Sequence, residues 1–337
     1  MIRVGIVGLG FMGKMHLRCY QALEGVQVVA ICDIDRAKFK DTSGTAGNIE
    51  GAEEPQDLTD IGLFDDFGNM LDEADLDAIS VTLPTYLHQE YVVKALNSGV
   101  HVLCEKPMAL TVEECREMLT AANRSKRLLQ IGHCTRFWPE YVKAKELIDS
   151  KQYGKVLAAT FQRLSQTPTW SWEDWLLDVS KSGSAALDLH IHDSDYVQYV
   201  FGMPQTVFSR MATGPCGEGD HIVTQYVYDD CVVMAEGGWA MPASFGFEMS
   251  FNIVLEKATI LFDCARDPAF KICPADGDAF TPDVLSGDGY SNEISHFMRA
   301  VRGEDVPPIT TPEQSLASVQ LVLAEIRSAS LRESVTP

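Results

Sequence analysis

The sequence predicts an α/β protein in which a doubly wound parallel sheet is followed by a mostly antiparallel sheet. Three observations lead to this prediction. Apolar runs alternate with helix-like segments through residues 1–134, a glycine-rich turn follows the first run, and closely spaced strands take over after residue 154. Alternating strands and helices indicate parallel pairing, whereas strands with little room for helices between them indicate antiparallel pairing. We therefore predict two domains, at residues 1–134 and 135–337.

Composition and charge argue against several classes of function. The chain has 337 residues, of which 46% are apolar, and a mean hydropathy of −0.04, as in ordinary globular proteins. No run approaches the roughly 20 apolar residues of a membrane helix, and we see no signal peptide. The formal net charge of −21 disfavours nucleic acid and anionic membrane surfaces. We expect a cytoplasmic protein with a small-molecule substrate.

The nine cysteines are scattered, and no two form a C-x-x-C pair. This spacing excludes the usual zinc and thioredoxin-type motifs. In a reducing compartment we expect free thiols, most of them small core residues. Cys104 is expected to be a packed strand residue rather than a nucleophile, because no histidine adjoins it in the sequence.

The first strand, residues 2–7, runs into the turn GLGFMG. Gly8 permits the tight turn, Gly10 lets the backbone approach a pyrophosphate, and Gly13 lets the following helix pack against the strand. The free N–H groups and the dipole at the start of that helix suit phosphates. A βα turn without a ligand is the alternative reading.

A second β-branched run ends in Asp33, 20 residues after Gly13, where a dinucleotide site has its acid. The carboxylate of Asp33 would accept hydrogen bonds from the ribose hydroxyls of the adenosine. It would repel a 2′-phosphate, so we predict NAD as cofactor, with NADP disfavoured. Arg36 lies three residues further on and is expected to soften this preference.

The alternation of strands and helices continues: we predict strands at 76–84, 100–107 and 127–134, separated by helices at 88–99 and 111–125. Ligands on such sheets bind at the carboxyl ends of the strands. The acidic, glycine-rich residues 41–60 predict an exposed loop near the adenosine end. Thr111 and Glu114 predict a capping box at the start of the second helix.

Six motifs, taken together, resemble one family: GIVGLGFMG (5–13), ICDID (31–35), VTLPTYLH (81–88), HVLCEKPMALT (101–111), GHCTRFWP (132–139) and SGSAALDLHIHDSD (182–195). The chain resembles the glucose–fructose oxidoreductase/inositol dehydrogenase/MocA family, and CEKP is the most specific match. The resemblance implies a Rossmann domain, then an α+β domain with a large, mostly antiparallel open sheet. It also implies NAD(P)-dependent oxidation or reduction of a sugar or polyol carbon.

The chain departs from the family pattern at two positions, where Thr85 replaces a frequent Asn and Ser182 a frequent Gly. The cofactor contacts predicted from the turn, the strand ends and the resemblance are Gly8, Gly10, Phe11, Met12, Gly13, Asp33, Ile34, Thr82, Leu83, Pro84, His88, Glu105, Lys106 and Arg136. For Arg136 a surface salt bridge is the equal alternative. The resemblance places His88 near the cofactor, while His16, His101, His133, His221 and His296 are expected to be structural.

The resemblance implies catalytic roles for Lys106, Asp188 and His192. Asp188 and His192 are four residues apart, on one face of a helix predicted at about 184–201, and Asp195 lies three residues further. Oxidation of an alcohol needs a base for the hydroxyl proton, and His192 suits this role. Asp188 would orient the imidazole or a neighbouring hydroxyl, and Lys106 would stabilise the developing alkoxide. The alternative is an ordinary structural pair on the helix.

No metal site is predicted, because His190 and His192 point to different sides of a helix and no thiol completes a ligand set. Trp170, Trp172 and Trp175 would stack on a sugar or cover the nicotinamide, or else pack in a core or subunit interface. Substrate specificity is expected in loops around 136–140, 164–182 and 240–247.

By analogy with open-sheet domains, we expect a homodimer or homotetramer formed through the C-terminal sheet, with the final helix, about 312–331, returning towards the first domain. Two other functions remain open. A redox glycosidase of the same family would oxidise a sugar only transiently and release no net NADH. A dinucleotide-sensing subunit would need no acid–base set.

Overall fold

The structure is a computed structural model that describes residues 1–40, 57–215 and 217–337. It divides into two compact units. Unit 1 comprises Met1–Cys134, Trp170–Trp175 and Tyr290–Leu316, and unit 2 comprises Thr135–Thr169, Leu176–Gly289 and Ala317–Pro337. Most of the acidic loop predicted at 41–60, residues 41–56, lies outside the described residues.

Unit 1 contains a six-stranded sheet in which every pairing is parallel. The strands are β1 (Ile2–Val7), β2 (Val26–Cys32), β3 (Gly62–Phe64), β4 (Ala78–Val81), β5 (His101–Glu105) and β6 (Leu129–Gly132). The helices are α1 (Phe11–Gln21), α2 (Phe67–Glu73), α3 (His88–Asn97) and α4 (Val112–Ser125). The order β3-β2-β1-β4-β5-β6 is that of a Rossmann fold, so the predicted doubly wound sheet is confirmed.

The apolar runs form this sheet because both of its faces are covered. Strands β4 and β6 are buried at every residue, as continuous apolar runs require. Helix α4 begins with the predicted capping box, in which Thr111 Oγ1 accepts from the Glu114 N–H and the Glu114 carboxylate accepts from the Thr111 N–H. The strand order reverses between β1 and β4, and the carboxyl ends of the strands there carry the predicted cofactor turn.

Unit 2 contains a seven-stranded sheet of order β13-β12-β11-β7-β10-β9-β8. Its strands are β7 (Val156–Gln166), β8 (Thr206–Gly214), β9 (Gly217–Val227), β10 (Val232–Met241), β11 (Phe247–Leu255), β12 (Ala258–Asp263) and β13 (Phe270–Pro274). Its helices include α5 (Pro139–Ser150), α6 (Val179–Ser182), α7 (Ser184–Asp188) and α8 (Ile191–Phe201). Only β7 and β10 pair in parallel, so the predicted, mostly antiparallel sheet is confirmed.

One face of this sheet forms the core of unit 2. Phe161 of β7 and Phe251 of β11 lie against the helix residues Tyr141 and Tyr196, whose ring centroids are 4.8 Å apart. The residues that alternate with them point to the other face and are more exposed, as in antiparallel sheets with one open side. The last two helices are α9 (Gly289–Val301) and α10 (Pro312–Leu331), which has the bounds predicted for the final helix.

The single helix predicted over 184–201 is broken. Helix α7 ends at Asp188 and α8 begins at Ile191, with Leu189 and His190 between them. The His190 side chain is fully buried, and its Nε2 lies 2.9 Å from Glu325 Oε2 on α10. The contact between His190 and Glu325 is a tertiary interaction. The helical spacing of the sequence does not reveal such an interaction, so it could not predict the break.

Candidate active site

The glycine turn of unit 1 has the geometry that the motif predicts. Gly8 adopts φ +93°, where side chains are disfavoured, and a Cβ there would come within 2.7 Å of the Thr82 carbonyl oxygen. A Cβ at Gly13 would overlap the carbonyl oxygen of Gly8, so the helix can pack this closely only without a side chain. At Gly10, by contrast, a Cβ would meet no atom within 4 Å. This open space lies where a pyrophosphate would approach the backbone.

The hydrogen-bonding groups around the turn also suit a bound dinucleotide. Gly10 is the N-cap of α1 and supplies no side chain to the free N–H groups of the first turn. Thr82 Oγ1 donates to the carbonyl oxygens of Gly8, at 2.7 Å, and Val7, at 3.0 Å, which fixes the turn to β4. Beside it, Thr85 Oγ1 is buried and has no hydrogen-bond partner among the residues that the structure describes. Such a buried hydroxyl calls for a partner, which a ligand can provide.

Asp33 directly follows β2, beside this turn, and is almost fully buried. Its carboxylate accepts from the N–H groups of Leu9, at 2.7 Å, and Asp35, at 2.9 Å. Lys38 Nζ lies 2.9 Å from Asp33 Oδ2, while Arg36, the cation considered from the sequence, pairs with Asp65 at 2.6 Å. Lys38 is therefore the charge that accompanies the acid, and the sequence analysis missed it.

Ile34, a predicted cofactor contact, and Trp172, predicted to stack on a sugar or cover the nicotinamide, both lie near the adenosine end. Ile34 is 66% exposed, so its side chain is available to an adenine ring. Lys38 Nζ lies 5.9 Å from the centre of the Trp172 ring, which brings Trp172 to this part of unit 1. The interpretation of Trp172 as a core residue is not favoured, because its side chain is only half-buried.

His88 supports the loops that end β4 and β5. It is fully buried, with Nδ1 2.9 Å from the Pro107 carbonyl oxygen and Nε2 2.8 Å from that of Leu83. Burial lowers the pKa of His88, and the two backbone hydrogen bonds only partly oppose this effect. The Lys106–Pro107 peptide bond, which follows β5, is cis.

Lys106 has a distinct exposure within its segment. From Val102 to Ala109, every residue is buried except Lys106, which is half-buried. Its backbone N–H donates to Glu105 Oε2 at 3.2 Å. The structure therefore presents one cation at the carboxyl end of β5, within a segment that is otherwise closed to solvent.

Unit 2 shows the same pattern around the break between α7 and α8. From Ser184 to Gln198, every residue is buried except Asp188 and His192. His192 Nδ1 lies 3.4 Å from Thr135 Oγ1, and Thr135 itself is buried. This contact helps to set the orientation of the imidazole, and the sequence analysis gave no signal for Thr135.

Arg136 lies in the interior of unit 2. Its Nε and Nη2 each donate to the Asp195 carboxylate at 2.8 Å, and neither side chain is exposed. The guanidinium also lies 4.4 Å from the centre of the Tyr199 ring. The structure therefore places Arg136 in a buried salt bridge, whereas the alternative interpretation expected a surface one; its predicted cofactor contact stays a prediction.

Two searches of the described residues bear on other classes of function. Within them, no group of three or more His, Cys, Asp and Glu side chains is arranged to hold a metal ion. No helix in the same residues is both long and apolar enough to span a membrane.

Comparison with protein families gives two matches along the chain. Residues 2–133 match the model of an oxidoreductase family with an NAD-binding Rossmann fold, GFO/IDH/MocA. Residues 141–261 match the model of the C-terminal domain of the same family. The chain belongs to the GFO/IDH/MocA family. It is thus an NAD-binding oxidoreductase, as the sequence motifs predicted.

Curated relatives of this GFO/IDH/MocA protein include inositol dehydrogenases. An enzyme named inositol 2-dehydrogenase 3, from Saccharopolyspora erythraea, is 31% identical over 315 residues, which cover 89% of this chain and 85% of the relative. The scyllo-inositol 2-dehydrogenase (NAD(+)) of Bacillus subtilis is 24% identical over 322 residues, which cover 92% and 89% of the two chains.

Solved structures share the fold over nearly the whole chain. A levoglucosan dehydrogenase in complex with NADH and levoglucosan superposes with a TM-score of 0.83 at 21% identity, covering 99% of each chain. The WlbA dehydrogenase of Bordetella pertussis, in complex with NADH and UDP-GlcNAcA, gives a TM-score of 0.81 at 21% identity and covers 100% of this chain and 98% of its own. At this identity the likeness concerns the fold.

Proposed function

We propose that this protein transfers hydride between NAD and a hydroxyl-bearing carbon of a sugar, polyol or inositol-like substrate. One observation carries the proposal. Lys106 is the one residue of Val102–Ala109 that is not buried, and Asp188 and His192 are the two of Ser184–Gln198. A polar side chain that serves the fold is usually buried with its partners, whereas one that serves chemistry must meet a ligand. The names of the curated inositol dehydrogenases support the substrate class.

His192 is the proposed general base. When hydride leaves the carbon, the hydroxyl proton must be removed, and an imidazole is well matched to this transfer near neutral pH. The contact between His192 Nδ1 and Thr135 Oγ1 supports a fixed ring orientation. Bound NAD accepts the hydride; the protein residues orient the substrate and handle its proton.

Lys106 and Asp188 have complementary proposed roles. The Lys106 ammonium stabilises the negative charge that develops on the substrate oxygen and holds that oxygen in place. Asp188 accepts a hydrogen bond from a substrate hydroxyl or from the imidazole. Lys106 belongs to unit 1 and Asp188 to unit 2.

The test is nicotinamide absorbance over a panel of inositols, polyols and aldoses, with NAD and NADP in parallel. We expect reduction of NAD by at least one panel member and a loss of about a hundred-fold or more in kcat/KM for His192→Ala. His101→Asn is the matched control, because an asparagine Oδ1 can still accept from the Leu128 N–H as His101 Nδ1 does. NADH binding to each variant reports folding.

Three results would contradict the proposal or a part of it. If the panel is silent while NADH binds, and a glycoside is cleaved without net NADH, the protein is a redox glycosidase. If NADH binds but neither reaction occurs, a dinucleotide-sensing role is favoured. Unchanged activity of His192→Ala would remove the assigned base even if NAD is reduced.

We also propose a homodimer or homotetramer formed through the open face of the unit 2 sheet. Val232, Met234 and Val254 point to this face and are 55%, 38% and 38% exposed. Val232 and Met234 lie on β10 and Val254 on β11. These two strands flank β7, and Val232 and Val254 both pair with Ala158 of that strand. A contiguous exposed apolar surface of this kind is typical of a protein interface.

A further inference from the structure

Buried polar contacts hold the helical turn that carries His192. Four of its neighbours in the chain, His190, Asp193, Ser194 and Asp195, have no solvent exposure. Each of them pairs with a buried polar side chain from a different element of unit 2. We call these four pairs the α8 polar network: His190–Glu325, Asp193–Arg163, Ser194–Tyr226 and Asp195–Arg136.

The pair of His190 and Glu325 fixes the chain two residues before His192. His190 Nε2 lies 2.9 Å from Glu325 Oε2, and the same carboxylate oxygen accepts from Thr224 Oγ1 at 3.1 Å. The imidazole is also packed closely against β10, because a Cβ at Gly237 would come within 2.6 Å of His190 Nδ1. The ring is thus confined between α10 and β10, at the break that separates α7 from α8.

The next two pairs fix the residues that directly follow His192. The Asp193 carboxylate accepts from Arg163 of β7, from Nε at 2.9 Å and from Nη2 at 3.3 Å. Ser194 Oγ lies 3.0 Å from Tyr226 Oη of β9. The backbone on both sides of His192 is therefore tied to other elements of unit 2.

The fourth pair acts on the partner of His192. Thr135, whose Oγ1 lies 3.4 Å from His192 Nδ1, directly precedes Arg136 in the short 3₁₀ helix Cys134–Phe137. Arg136 forms the buried salt bridge with Asp195, which lies three residues after His192. Two adjacent residues of the 3₁₀ helix thus contact two residues on one face of α8. The salt bridge therefore keeps Thr135 within reach of the imidazole.

Stability alone does not account for the α8 polar network. Three of its four pairs join two ionisable side chains, and removal of such groups from water offsets much of the energy that their attraction supplies. Apolar side chains of similar volume often stabilise a core equally well. A hydrogen-bonded pair, however, also fixes the distance and the angle between its two groups. The network is therefore better suited to fixing positions than to adding stability.

We infer that the His190–Glu325 and Asp193–Arg163 pairs are positioning residues for the reaction, which act through the backbone of α8 to hold the His192 imidazole in the orientation that proton transfer needs. The inference rests on the proposed function, in which His192 is the general base. His192 is half-exposed, so packing alone does not fix its side chain. A displacement of about 1 Å in such a group can lower the rate about a hundred-fold.

The experiment replaces one pair by apolar residues, so that no buried charge is left without its partner. In the double variant His190→Leu/Glu325→Leu, Thr224 Oγ1 keeps its contact of 2.8 Å with Ser209 Oγ. We expect this variant to unfold in urea at a concentration close to that of the wild type. With an active panel substrate, kcat should fall at least about ten-fold with little change in KM, because the base is displaced while the groups that bind substrate remain.

A signal from the His192 ring reports its orientation without turnover. In protein labelled with ¹³C-histidine, this signal is assigned by its loss in His192→Ala. We expect the double variant to shift or broaden the signal. Ile260→Val, a substitution of a fully buried residue on β12, is the control for a loss of stability and should leave the signal in place. His190→Gln keeps an N–H donor for Glu325 and should return both the signal and most of the lost kcat.

A second double variant, Asp193→Leu/Arg163→Met, tests the other pair and keeps the inference testable if the first variant does not fold. It should give the same loss of kcat and the same change in the His192 signal. A folded double variant that retains the kcat and the His192 signal of the wild type would show that its pair is structural, and the inference would be wrong for that pair.

The positioning role and the proposed function fail in different ways. If the double variants displace the His192 signal but the wild type turns over no panel substrate, the pairs fix His192 and the proposed function is wrong. If the wild type and the double variants turn over substrate equally, the proposed function stands and the positioning role is wrong, whether or not the signal moves.

Discussion

The carboxylate of Asp195 accepts two hydrogen bonds of 2.8 Å from the guanidinium of Arg136, and both side chains are fully buried. Ser318 Oγ of α10 donates to the same carboxylate at 2.6 Å. The pair therefore joins the start of unit 2, at Arg136, to helix α8, where Asp195 lies three residues after His192. Ser318 connects the same carboxylate to α10. Its value to the protein is the fixed position of these elements rather than the charge itself.

Removal of one member of this pair should be costly. Asp195→Asn leaves the Arg136 cation buried without a full counter-charge, so we expect the free energy of unfolding to fall by about 3–5 kcal/mol. Urea denaturation measures it. Arg116→Ala, which breaks the exposed pair with Glu113, is the control and should cost at most about 1 kcal/mol. A stable Arg136→Met variant with weakened NADH binding would instead restore the cofactor contact predicted for Arg136.

Alanine substitutions at two glycines of the turn should have different effects, one on NADH affinity and the other on stability. In Gly10→Ala the new methyl group meets no protein atom within 4 Å, so the free energy of unfolding of the apoprotein should change by at most about 0.5 kcal/mol. The affinity for NADH should fall at least about ten-fold, because the methyl group lies where the pyrophosphate approaches. Gly13→Ala overlaps the Gly8 carbonyl and should destabilise the apoprotein by about 1–3 kcal/mol or more. Denaturation and NADH fluorescence titration distinguish the two, and full NADH affinity in Gly10→Ala would contradict the site.

Lys38 should govern the residual acceptance of NADP. Its ammonium offsets the Asp33 carboxylate, which otherwise repels a 2′-phosphate. Lys38→Ala should therefore lower the affinity for NADPH by about ten-fold, the value of one charge-assisted hydrogen bond, with a smaller change for NADH. Arg36→Ala is the matched control, since Arg36 is paired with Asp65 instead. An equal loss for the two cofactors would show that Lys38 acts on the shape of the turn rather than on the phosphate.

His88 should make stability depend on pH. Its folded pKa lies below the ordinary value of 6.5 because it is buried, so the unfolded chain takes up a proton that the folded chain does not. Stability is then fully present above about pH 6.5 and falls below it, by at most about 1.4 kcal/mol per pH unit. Urea denaturation at pH 7.5 and 5.5 should show a smaller difference for His88→Gln than for the wild type. An equal difference would place the effect in other groups.

The open face of the unit 2 sheet should respond to charge. Met234→Lys places an ammonium among exposed apolar side chains, and charged residues are depleted in the centre of interfaces. We expect analytical ultracentrifugation to show a smaller assembly than that of the wild type. Leu285→Lys, an exposed apolar residue outside the strands, is the control and should leave the mass unchanged. A wild-type monomer, or an assembly indifferent to Met234→Lys, would refute the proposed interface.

Most of unit 1 could be predicted because its signals are local. The first 33 residues contain two apolar runs, the three glycines and Asp33. Each of these features has a local physical explanation. Lys38 escaped prediction because the short 3₁₀ helix Arg36–Phe39 decides which of several cations turns back towards Asp33. A sequence pattern does not encode that choice.

The polar residues of the interior were harder to predict for a different reason. His16 and Tyr20 share a helix face, but their partners Ser80 and Glu105 come from β4 and β5, and only the folded sheet brings them together. The break beside His190 likewise depends on Glu325, more than a hundred residues later in the chain. Long-range partners of this kind leave no periodic trace.

The burial of the segment from Ser184 to Gln198 limits how this protein can diversify. Thirteen of its fifteen positions are committed to the interior, and the other two are Asp188 and His192. A mutation at one of the thirteen buried positions therefore alters packing, and one at Asp188 or His192 alters the proposed chemistry. We therefore expect new specificities to arise mainly in surface loops outside it, so that an evolving or engineered variant can change its substrate while the buried positions of this helical segment are inherited intact.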